Sequence, residues 1–129
     1  MAGHGADSGT DTRGAAVAAD PGDTEYLQVQ TTTDSRAEAM ELAHDAVAAR
    51  LAACAQVAGP IASTYWWEGE IERAEEWLIM LKLPADRYDA LAEFLTERHS
   101  YDEPEITATD IVAGSAGYLT WIAEETRPE

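Results

Sequence analysis

The chain is poor in several things at once. Its 129 residues include one cysteine, Cys54, and one lysine, Lys82. A single cysteine excludes an internal disulfide framework. No apolar run approaches the ~20 residues that cross a bilayer as a helix. CxxC, HExxH and a His pair at helical spacing are all missing, so no tight metal site is written into one stretch. A glycine-rich phosphate loop and a nucleophile elbow are missing too. Cations are scarce: 8 Lys and Arg face 25 Asp and Glu, a formal net charge of −17. A field of that sign repels nucleic acid and anionic lipid, favours solubility and collects cations weakly. The first residues show no basic start followed by an apolar stretch, so no export signal is expected and the expected location is cytoplasmic.

What is present divides in two. Residues 1–24 are rich in Gly, Ala, Asp and Thr, with Val17 as the one large aliphatic residue. Such a segment cannot bury enough surface to offset its ordering entropy and is expected to be a disordered tail. Residues 25–129 carry the apolar pattern of one domain.

Within that domain, Glu25 to Thr33 alternates as a strand does, with Leu27, Val29 and Thr31 on one face. Ser35 and Glu38 have capping-box spacing and open a helix. Met40, Ala43, Val47 and Leu51 are its expected buried stripe. A second strand runs from Cys54 to Trp67, interrupted at Gly59-Pro60 by a bulge or an edge. Glu68-Gly69-Glu70 makes a turn into a third strand, Ile71 to Leu83. Asp86 is placed to cap a second helix reaching about His99. Ile106 to Ala113 reads as a fourth strand, and Tyr118 to Ile122 as part of a terminal helix.

The order β-α-β-β-α-β with a terminal helix is the split βαβ, ferredoxin-like α+β pattern. Both helices would cover one face of an antiparallel sheet. The other face would be left bare and apolar. That face and the long hairpin both call for a partner, most simply further copies of this chain.

Five segments, in register from about Tyr26 to Trp121, resemble the CutA family of divalent-cation tolerance proteins. They are Leu51-Ala52-Ala53-Cys54, Tyr65-Trp66-Trp67-Glu68-Gly69, and Glu75-Glu76 followed by Leu78 to Lys82. The other two are His99 to Ile106 and Tyr118-Leu119-x-Trp121. Gln56, Leu83 and Ser100 stand where the family usually has Asn, Thr and Pro. Losing that proline is expected to loosen the loop beside His99. The resemblance implies a homotrimer, similar in architecture to PII signalling proteins. It also implies a role in tolerance of divalent metals, usually copper, and no established reaction.

The candidate ligands for copper(II) or another divalent cation are Cys54, His99 and Glu105. A thiolate, an imidazole and a carboxylate form a mixed set that suits copper. Each has a structural alternative: a buried thiol, a helix C-terminal residue bonding carbonyls, and an acceptor for a neighbouring N–H. Lys82 is either an ion-pair partner of Glu105 or Glu76 at a subunit junction, or a contact for an anion. In the second case Lys82, His99 and Tyr101 would bind a small anionic ligand in a PII-like cleft between subunits. Trp66, Trp67 and Trp77 are expected in core and trimer interface.

Overall fold

The structure, a computed structural model, describes residues 25–128. The tail expected at 1–24 lies outside the described residues. In chain order the elements are β1 (Tyr26–Thr33), α1 (Arg36–Ala48), β2 (Cys54–Trp67), β3 (Glu70–Pro84), α2 (Tyr88–Arg98), β4 (Thr107–Asp110) and α3 (Ala116–Glu125). The strands form one four-stranded antiparallel sheet in the order β2-β3-β1-β4. This is the ferredoxin-like α+β fold.

Alternation along β1 and β3 sends Val29, Ile79, Leu81 and Leu83 to the face covered by α1 and α2. There they meet Ala39, Leu42, Ala43 and Ala46 of α1 and Leu91 and Leu95 of α2, all buried. The α1 stripe is thus turned from the expected one. Ala43 and, just past the helix end, Leu51 are buried as expected, but Met40 is 45% exposed and Val47 is only partly buried. Small side chains face the sheet because they let the helix lie close to it. The Ser35 hydroxyl caps α1 by accepting from the amide of Glu38. Asp86 does not cap α2: Ala85–Arg87 forms a 3-10 turn that leads directly into the helix, with no side-chain cap.

The second face is not uniformly apolar. Gln28, Gln30, Gln56 and Lys82 stand there beside Leu78 and Met80, by register. One end is covered by α3, whose Leu119 and Ile122 pack with Tyr26 and Ala53. β4 is shorter than expected and exposed throughout. Beyond it, the amide of Ile111 reaches the carbonyl of Tyr26, and the chain then leaves the sheet for α3.

β2 and β3 pair down to Trp67 and Glu70, leaving a two-residue turn. Glu68 and Gly69 both have positive φ, 51° and 83°, as a type I′ turn requires. The register shifts once, between Ala58 and Ile61, at the expected bulge. There the Trp77 ring lies against Gly59: a Cβ built on Gly59 would stand 2.5 Å from Cδ1. Only glycine fits under that ring. Beyond the bulge the hairpin is largely exposed, and Trp66 is 71% accessible.

Candidate functional site

The polar chemistry gathers where the chain leaves α2. Residues 99–105 pass around the end of β1, from the helix layer to the second face of the sheet. On the helix side, Glu38 accepts from the Thr33 hydroxyl. It also accepts from the Ser100 amide and hydroxyl, each at 2.8 Å. Burial acts to raise the Glu38 carboxyl, but the bonds from Thr33 and Ser100 together hold it below its ordinary value. The serine at position 100 thus fastens this loop to Glu38 by two bonds, set against the backbone freedom expected from the loss of proline. A proline there would have no N–H to give.

His99 is buried with both ring nitrogens engaged. Nε2 donates to the carbonyl of Thr32 at 2.8 Å, since a carbonyl only accepts. Nδ1 accepts the amide of Tyr101 at 3.1 Å. These bonds select the neutral Nε2–H tautomer and leave no lone pair for a metal. The Glu38 carboxylate is 3.9 Å from Nδ1. The Tyr101 ring lies 4.9 Å from the imidazole. Its hydroxyl donates to Glu76 Oε2 at 2.7 Å. Burial, then that carboxylate, push the Tyr101 phenol well above its usual range. Glu76 is buried and also accepts from Ser63 at 2.7 Å.

The other candidates lie elsewhere on the second face. Glu105 accepts from Gln30 and Thr107, both at 3.1 Å. The Cys54 thiol is half-buried, 3.5 Å from the Tyr118 hydroxyl. Burial and then Cys54 push that phenol up to about 12. Lys82 donates to Gln56 Oε1 at 3.0 Å. Among the described residues it pairs with neither Glu76 nor Glu105.

Cys54, His99 and Glu105 are thus not brought together in one chain. Among the described residues, no three of His, Cys, Asp and Glu form a metal-holding group. Nor do Lys82, His99 and Tyr101 converge: Tyr101 bonds Glu76, six residues along β3 from Lys82. Trp66 and Trp67 are exposed and free to meet a partner, whereas Trp77 packs against the chain's own core. The expectation missed Glu38 and Ser100. The capping-box spacing marked Glu38, but its side chain turns to Thr33 and Ser100.

The model of the family described as "CutA1 divalent ion tolerance protein" matches residues 27–125. The chain belongs to the CutA1 family. "Divalent-cation tolerance protein CutA" of Citrobacter koseri is 34% identical over 103 residues, 80% of this chain and 90% of that protein. "Protein CutA 1, chloroplastic" of rice is 35% identical over 101 residues, and "Protein CutA, chloroplastic" of Arabidopsis thaliana shows the same identity. The chain spans only 57% and 56% of those two plant proteins. Among solved CutA1 structures, that of Oryza sativa superimposes with a TM-score of 0.78 at 33% identity, covering 81% of this chain and 96% of that one. CutA of Synechococcus elongatus gives 0.77 at 34%, covering 80% and 91%. No described helix is long and apolar enough to cross a membrane.

Proposed function

We propose that this CutA1-family chain is a cytoplasmic homotrimer that serves divalent-metal tolerance without catalysis, with copper(II) as its ion. The observation that carries this reading is the match to bacterial relatives named for divalent-cation tolerance over nine-tenths of their length. The exposed aromatic hairpin tip and the partly open second face support assembly. Because no three of His, Cys, Asp and Glu form a metal-holding group among the described residues, the proposed site draws its ligands from different copies. Cys54 and Glu105 are the accessible members of the set. His99 joins only if the Tyr101 amide leaves Nδ1.

Copper leads the divalent affinity order at such mixed sites. Light scattering tests the trimer: a monomer at micromolar concentration would end this reading. Calorimetry at high salt tests the metal, on wild type, Cys54→Ser, Glu105→Gln and His99→Ala. Copper binding is expected to exceed that of zinc, manganese and magnesium and to weaken in the first two variants. Copper binding lost at high salt in wild type would reduce it to attraction by surface carboxylates.

A further inference from the structure

Lys82 is the chain's sole lysine, and it is only 6% exposed. It stands on the second sheet face, between Gln28 of β1 and Cys54 of β2. An amide and a thiol flank it, and its hydrogen-bond partner, Gln56, is another amide. Among the described residues it forms no ion pair. Two carboxylates on this face, Glu76 and Glu105, are engaged elsewhere, Glu76 by Ser63 and Tyr101, Glu105 by Gln30 and Thr107. An ammonium has three N–H donors, and one buried without a counter-charge is strongly disfavoured.

We propose that Lys82 anchors a carboxylate site on the second face of the sheet, completed by a group that is not among the chain's described residues. That carboxylate is either a small organic acid or an acidic side chain of a second copy. A single charge fits the arrangement. One ammonium among neutral amides balances one negative charge, whereas a doubly charged phosphate calls for a guanidinium fork or a nest of amides. The net charge of −17 also repels multiply charged anions. The second-copy source rests on the homotrimer reading, and the small-acid source does not.

The test uses the full chain, with Lys82→Met, which keeps the length and removes the charge, and Lys82→Gln in case the first does not fold. Melting is followed at constant high ionic strength against acetate, malonate and succinate, with inorganic phosphate as control. Light scattering over a dilution series gives the state of assembly. A saturable rise in wild-type melting temperature with the acids, lost in the variants, assigns a free acid. No response to acids, with variant assemblies dissociating at protein concentrations on the order of tenfold higher or more, assigns a second copy. A wild type that is monomeric throughout ends the homotrimer reading and the second-copy source, leaving the acid titration to decide. Variants that melt higher than wild type, with unchanged assembly and no acid response in either protein, overturn the proposal. That result would mean the ammonium has no counter-charge, and its removal relieves the fold. A phosphate response equal to that of the acids overturns the carboxylate assignment.

Discussion

Ser100 donates twice to the carboxylate of Glu38, from its amide to Oε2 and from its hydroxyl to Oε1. With the Thr33 hydroxyl, these bonds join the start of α1, the end of β1 and the loop after α2. Glu38→Gln keeps the shape and removes the charge. It is expected to cost about 1–3 kcal/mol at pH 7, read from denaturant midpoints. The folded-state pKa of Glu38 lies below its ordinary 4.5. The stabilisation is therefore present above pH 4.5 and lost as pH falls through the lower folded value. Melting of wild type should drop more steeply than that of Glu38→Gln below pH 4.5, and equal slopes would refute the linkage.

Ser100→Pro restores the residue usual in the family and removes the amide donor. We expect a loss of about 1–3 kcal/mol, against about 1 kcal/mol for Ser100→Ala, which loses only the hydroxyl bond. A proline variant more stable than wild type would show that backbone restriction outweighs the two bonds.

Gly59→Ala should cost about 1–3 kcal/mol, because its Cβ meets the Trp77 ring and forces the indole or the bulge to move. A changed tryptophan emission spectrum with lowered stability is the expected reading. An unchanged spectrum would place the strain elsewhere.

Arg50 closes the turn after α1 at φ 63° and donates to the Glu125 carbonyl at 3.0 Å and carboxylate at 2.9 Å. Arg50→Ala keeps the unfavourable φ and loses both bonds to the last turn of α3. It should cost roughly 1–2 kcal/mol and raise amide exchange in residues 119–126 above that in α1. Uniform acceleration throughout the chain would mean that α3 is not tied down separately.

The hairpin and its turn were the most legible parts of this chain. Tyr65 to Trp67 and Trp77 to Leu83 have strand chemistry, and Gly69 supplies the backbone freedom of the expected turn at Glu68-Gly69-Glu70, of which Glu70 proves to be the first residue of β3. Element order followed from Ser35, Pro84 and the alternation around Val29. The α1 face was misread because Met40 is the largest side chain in its stripe, whereas close packing on the sheet selects alanines. The end of β4 was misread because Ile111 and Val112 look like strand residues, yet the chain turns there to reach α3. The site was less legible still. Sequence marks His99 as an imidazole but does not say that Thr32 and Tyr101 occupy both nitrogens, since those bonds depend on how the loop wraps the strand end.

That wrapping also governs where the chain can move. Residues 99–105 are fastened to the helix layer at Glu38, to the strand end at Thr32 and to the opposite face at Glu76 and Gln30. A segment held on both sides of a sheet acts as a rivet through it, so helices and strands resist sliding past one another near β1. The hairpin beyond Ser63 and Ala74 has no such fastening, and residues 64–73 are exposed throughout. Bending is therefore concentrated there, in an arm that can adjust to whatever it meets while the domain behind it stays rigid.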